Sequence, residues 1–217
     1  MKIKATFTEG LLGTASANPE LHEQFIASKS ADKDKVKEEL ANLPADDLLE
    51  KATTVFPTLK DGTPFLYDYQ VKGFLKEAFT MLVEFQGIEL QKKPAVNLTK
   101  YTVKRIVDNF IFVFPRVIPL SMPACTFVTM CSRPLRATTM RGERVALATS
   151  EEVPAGTTMD LEIRWLNPKL EEYVRQALDY GALKGLGQWR NSGKGRFNWE
   201  ELVPSPRRPI QDSGDKS

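Results

Sequence analysis

An α+β fold is what the sequence predicts, and three features predict it. Thr157–Trp165 alternates like a strand with one buried face, Met159, Leu161, Ile163 and Trp165 interleaving with Asp160, Glu162 and Arg164. Between Asp68 and Phe85 the apolar positions Val71, Phe74, Leu75, Ala78, Phe79 and Leu82 follow helical spacing, which marks a core helix. The elements run strand, helices, several strands, helix, strand, an order that suits helices on one face of a mostly antiparallel sheet. A ferredoxin-like (RRM-like) βαββαβ core with helical insertions is the simplest arrangement with that order.

Taken in order, Lys2–Thr8 is a strand with Ile3, Ala5 and Phe7 on one face, broken by Gly10 and Gly13. Asn18-Pro19 starts a helix to about Ser28 that buries Leu21, Phe25 and Ile26 and carries His22. Asp32–Glu50 is mixed in charge with few apolar anchors, so about 30–60 is expected as a helical insertion. The turn Asp61-Gly62-Thr63-Pro64 precedes the core helix. A shorter helix, Thr99–Asn109, leads into Phe110–Phe114, an apolar run suited to a buried central strand. Thr126–Cys131 and Arg144–Thr149 are further strands joined by an arginine-rich loop, and no long β-hairpin is expected. Asn167-Pro168 starts an amphipathic helix whose apolar stripe is Leu170, Tyr173, Val174, Ala177 and Leu178. A short strand, Arg196–Trp199, closes a single domain over 1–202, and 203–217, with Pro204, Pro206, Pro209 and the pair Arg207-Arg208, is expected as a disordered tail.

With 217 residues, 41% hydrophobic and 27% charged, the chain has the composition of a globular domain. No apolar run approaches the roughly 18–20 residues of a membrane-spanning helix, so no membrane partner is expected. The alternating start Met1–Phe7 is unlike a secretory signal, which points to the cytoplasm, bacterial or phage-encoded within its host. Cys125 and Cys131 fit neither a redox pair nor a zinc half-site and are expected as reduced thiols; no metal or other cofactor is implied. The net charge of +2 hides a strong segregation. Glu20–Lys51 holds nine acids and five lysines, whereas Lys184–Phe197 holds four bases and no acid. Ser132–Thr149 sets Arg133, Arg136, Arg141 and Arg144 against Glu143 alone. Basic charge gathered in two segments of a near-neutral protein points to a local polyanion site; solvated basic loops are the plainer alternative.

The segment best suited to such chemistry is Gly185–Phe197, reading GLGQWRNSGKGRF. Gly185, Gly187, Gly193 and Gly195 let the backbone approach a ligand closely, and successive amides in such turns can cradle an anion. Arg190, Lys194 and Arg196 supply charge for phosphates, and Trp189 a stacking face for a base or a buried anchor for the loop. Five residues between Gly187 and Gly193-Lys194, with Gly195 following, exclude a Walker A loop. Arg190 at the third-glycine position, with a helix before the loop, excludes a dinucleotide fingerprint. Lys72 and Lys76, one turn apart on the core helix, join this site if the helix N-terminus faces the loop; otherwise they are solvated lysines. Arg133 and Arg136 extend a groove or are plain surface.

The run Glu152-Val-Pro-Ala-Gly156-Thr-Thr-Met-Asp-Leu-Glu-Ile, a helix, and then the glycine loop resemble the C-terminal half of the RAMP superfamily of CRISPR-associated RNA-binding proteins. Ser192, Gly193, Gly195 and Arg196 match the second half of that family's G-rich loop, and Gly187 its first. Tyr69-Gln-Val-Lys72-Gly73-Phe-Leu-Lys76 is similar to the helix start of its backbone subunits, with Lys76 in place of arginine; the layout also resembles uncharacterised phage and prophage members. The resemblance implies a ferredoxin-like, non-catalytic binder of single-stranded RNA, with the loop against the RNA backbone and Ser192 among its contacts. Its implied setting is a ribonucleoprotein assembly or a homo-oligomer. Because some relatives are metal-independent ribonucleases with a histidine in the first helix, His22 is the catalytic candidate of an alternative reading. Two further alternatives use the same loop: a phage-encoded binder of small signalling nucleotides acting in counter-defence, and an oligomerising scaffold.

Overall fold

The computed structural model describes residues 1–16, 53–85, 102–139 and 142–202, with the backbone alone for 85, 135–139 and 142–147. The expected helix at Asn18–Ser28, His22 and the tail 203–217 lie outside the described residues. Of the expected insertion only 53–60 are described, and they carry a strand.

Two β-α-β units build the main sheet. The first is β1 (Lys2–Phe7), α1 (Asp68–Phe85) and β6 (Ile111–Phe114), with α2 (Val103–Phe110) leading straight into β6. The second is β10 (Thr158–Trp165), α3 (Glu171–Lys184) and β11 (Phe197–Glu201). The sheet order is β11-β1-β10-β6, with every neighbouring pair antiparallel. Numbering the four core strands by sequence, that order is 4-1-3-2, the ferredoxin-like α+β arrangement expected from the element order. Asn167 caps the turn into α3, its side chain accepting from the Lys169 amide at 3.0 Å.

Alternation along β1 and β10 buries Ile3, Ala5, Phe7, Met159, Leu161 and Ile163 on the helical side. Phe74 of α1, Val174 and Leu178 of α3 and Val107 of α2 fill the same core. Phe197 is the hub, edge-on to Phe7 at 5.9 Å and to Phe74 at 5.5 Å. The Phe110–Phe114 run is not the central strand its composition suggested. It supplies β6, an outer strand of this sheet, with Ile111 and Val113 buried and Phe112 and Phe114 exposed. A continuous apolar run looks two-sided in sequence; here a lysine and an arginine cover the outer rings instead of a second layer.

Before α1 lies β5 (Phe65–Tyr67), which pairs with β7 (Val117–Pro119). A second sheet holds β2 (Leu11–Leu12), β3 (Ala15–Ser16), β4 (Thr53–Val55) and β9 (Gly142–Val153), with β8 (Thr129–Thr139) against β9. Among the described strands, only β4 and β9 run parallel. Here the expectation of two short strands and an arginine-rich loop is corrected. Strands β8 and β9 form one hairpin, in register from Thr129 opposite Glu152 to Thr139 opposite Gly142. Eleven residues at about 3.3 Å each give an arm of roughly 36 Å. Pro134 concealed it, because proline argues against a central strand; among the described residues β8 pairs only with β9, and an edge tolerates the missing N–H.

Glu151 on β9 accepts the Phe56 amide at 2.6 Å, and burial pushes its carboxyl above the ordinary range against that hydrogen bond. In the window between the ordinary and the raised value the folded chain binds more protons than the unfolded one. Stability therefore falls as pH rises through that window and recovers as pH falls through it. In urea unfolding from pH 4.5 to 8, Glu151→Gln is expected to gain relative to wild type toward high pH. A pH-independent difference between the two would overturn this assignment.

Candidate nucleic-acid interface

The Gly185–Arg196 loop joins α3 to β11 and is closed at its neck. The Leu186 amide donates to the Gly195 carbonyl at 2.8 Å, and the Gly195 amide to the Gly10 carbonyl at 2.9 Å. Gly185, Gly187, Gly193 and Gly195 all have positive φ, at 81°, 83°, 88° and 70°. A single 3-10 turn, Arg190–Ser192, forms the crest. Just before it, Trp189 sits in the left-handed region at φ 52°, ψ 33°, a conformation that costs an ordinary residue about 1–2 kcal/mol.

The loop's cations are not an open cradle, and in this the expectation is corrected. Arg190 Nη1 meets Glu77 Oε2 of α1 at 2.6 Å, and Lys194 Nζ meets Glu152 Oε1 of β9 at 2.6 Å. Lys184 donates to Asn191 Oδ1 at 3.0 Å. Arg190 and Lys194, both partly buried, hold the loop against α1 and the hairpin. Arg196 stays exposed, anchored through Nε to the Leu183 carbonyl at 3.0 Å. Trp189, Asn191 and Ser192 are exposed with it, and Trp189 keeps 37% of its surface.

Arg133, expected as groove or plain surface, is 6% exposed. Its Nη2 donates to Gln188 Oε1 at 2.7 Å, its Nη1 lies 3.4 Å from Ser150 Oγ, and its guanidinium covers the Trp189 indole at 5.4 Å. Gln188 in turn donates to the Gly13 carbonyl at 3.1 Å. Arg136 stands farther out on β8, opposite Val145. Lys72 and Lys76 turn away from the loop, toward α2. Lys72 Nζ donates to the Asp108 carbonyl at 2.9 Å and covers Phe112 at 5.3 Å, and Lys76 pairs with Asp108 at 2.6 Å. Burial pushes the Lys72 ammonium down, and Asp108 opposes that shift.

The side of α1 that does face the loop was missed in the sequence. Tyr69, Gly73 and Glu77, with Gln70, line a cleft of about 530 Å³ whose other walls are Leu186, Gly187 and Arg190 of the loop and the stretch Thr14–Ser16 with Thr54 and Pro57. Their spacing of four residues was a readable signal, obscured by the neighbouring lysines at the same spacing.

No family model matches the chain, and no curated protein matches it in sequence. No helix of the described residues is long and apolar enough to cross a membrane. Among solved structures, it is similar to a chain of the Type III-B Cmr-beta complex bound to cognate target RNA. The TM-score is 0.51 at 9% identity, over 92% of this chain and 58% of that one. The chain thus spans less than two thirds of that neighbour. A Type IV-B CRISPR complex aligns over 99% of both chains at 12% identity and a TM-score of 0.44. At 9% identity, the first likeness is one of fold alone.

Proposed function

We propose that the chain is a non-catalytic RNA-binding subunit of RAMP type, working within a ribonucleoprotein assembly. Single-stranded RNA lies across the crest of the glycine loop, with Arg196 on a phosphate and Trp189 stacked on a base. Arg190 and Lys194 act beneath it, fixing the loop through Glu77 and Glu152.

The observation that carries this reading is Trp189. A large aromatic held left-handed, exposed, and backed by a buried guanidinium is strain kept at a surface, and such strain concentrates at ligand sites. Stacking a base on an indole accepts any sequence and contributes roughly 1–3 kcal/mol. The fold it shares with a subunit of an RNA-bound complex supports the same reading.

Fluorescence anisotropy with a labelled single-stranded RNA tests it. Trp189→Ala and Arg196→Ala are each expected to weaken binding roughly tenfold. Thermal midpoints should change little, since neither side chain is part of the core. Removing Arg196 should also flatten the dependence of affinity on salt, because one phosphate contact is lost. Unchanged affinity in both variants would end the proposal. Lys194→Ala is a poor probe, because it strands the Glu152 carboxylate.

A further inference from the structure

The cleft between α1 and the loop has the construction of a nucleobase site. At about 530 Å³ it falls within the roughly 300–1,000 Å³ of small-molecule pockets. Tyr69, Gly73 and Glu77 lie four residues apart on α1, and residues so spaced share one helix face. Gly73 is the odd member. Glycine inside a helix costs about 1 kcal/mol relative to alanine, and is usually explained by something packed against it. Here a Cβ would meet nothing within 4 Å. The bare helix backbone instead forms an open floor, with an aromatic ring at one end and a carboxylate at the other.

The aromatic end is built for stacking. Tyr69 lies nearly parallel to Tyr67, their centroids 5.3 Å apart and their planes 13° apart. Tyr67 is buried and Tyr69 partly exposed, and both line the cleft. At the other end, Glu77 is held by Arg190 through Oε2. A carboxylate has about four lone-pair sites, so one guanidinium contact leaves acceptors for a ligand. Arg190 also balances the charge of that carboxylate.

We propose that this cleft takes a guanine base. A carboxylate edge accepts two parallel hydrogen bonds only from a base offering two adjacent donors. Guanine does so with N1–H and its 2-amino group, whereas adenine, cytosine and uracil do not on one edge. The base lies over Gly73, stacks on Tyr69 and pairs with Glu77. The placement of that base within an RNA strand rests on the RNA-binding reading above; the same chemistry also accepts a free guanine nucleotide.

Calorimetry of the full chain with GMP, AMP, CMP and UMP tests the site. GMP is expected to bind at least about tenfold tighter than the other three, the discrimination of one good bidentate contact. Glu77→Gln should remove most of that preference. Gly73→Leu should abolish GMP binding with an unchanged or raised thermal midpoint, since it fills the floor without touching packed atoms. No GMP binding, equal binding of all four, or full binding by Gly73→Leu would each overturn the proposal. RNA oligomers keep the two readings apart. Tight binding of oligouridine with no response to GMP leaves RNA binding standing and overturns the guanine site. GMP binding without affinity for any RNA retains the site as one for a free nucleotide and removes the RNA-binding reading.

Discussion

Gly195→Ala is expected to cost on the order of 3 kcal/mol or more and to remove RNA binding with it. At φ +70° an alanine pays the left-handed penalty of about 1–2 kcal/mol. The larger cost is steric. The new Cβ would fall on the Leu186 carbonyl oxygen, which is backbone and cannot rotate away. Opening that neck breaks the Leu186–Gly195 and Gly195–Gly10 hydrogen bonds, which fix the loop to the β1–β2 turn. Gly193→Ala is the internal control. Its φ of +88° carries the same conformational penalty, but its nearest neighbour is the flexible Arg196 side chain at 3.6 Å. Urea unfolding should therefore place Gly193→Ala only about 1–2 kcal/mol below wild type. Equal losses in the two variants would show that conformation alone, not the closed neck, limits the loop.

What the sequence disclosed about this fold tracks where local pattern and burial agree. The strands β1 and β10 and the helices α1 and α3 each bury one face, and their periodicity is therefore undiluted. The Phe110–Phe114 run misled because Phe112 and Phe114 stay exposed, each with one cation over its ring, Lys72 at 5.3 Å and Arg164 at 4.9 Å, an arrangement with no periodic signature. The hairpin misled for a different reason: arginine and proline report solubility and edge position, and both are compatible with a long exposed arm. The glycine loop was legible as a special backbone, because only positive φ explains that density of glycine. Its electrostatics were not legible. The carboxylates that hold Arg190 and Lys194 come from Glu77 and Glu152, 113 and 42 residues away in sequence. Pairing across such distances is a property of the fold, and no local window contains it.

A third long-range tie to the loop runs through Arg133, whose replacement by alanine is expected to destabilise the protein by about 2–4 kcal/mol. The guanidinium touches three residues at once: Ser150 on β9, and Gln188 and the face of Trp189 in the loop. Removing it leaves the Gln188 carbonyl oxygen half-buried without its donor, a loss of roughly 1–3 kcal/mol, and vacates volume in a site that is 6% exposed. Lysine is not expected to rescue. A single ammonium cannot reach Gln188 and Ser150 while also lying flat on the indole. A double-mutant cycle with Gln188→Ala should show coupling of 0.5 kcal/mol or more, as expected for residues in one hydrogen-bonded network. RNA affinity should fall along with stability, because Trp189 loses the cation behind it and the loop loses its tie through Gln188 to Gly13. If Arg133→Ala unfolds at the wild-type urea midpoint, the Arg133 guanidinium is not a structural tie between hairpin and loop, and the Lys194–Glu152 and Arg190–Glu77 pairs suffice to hold the loop.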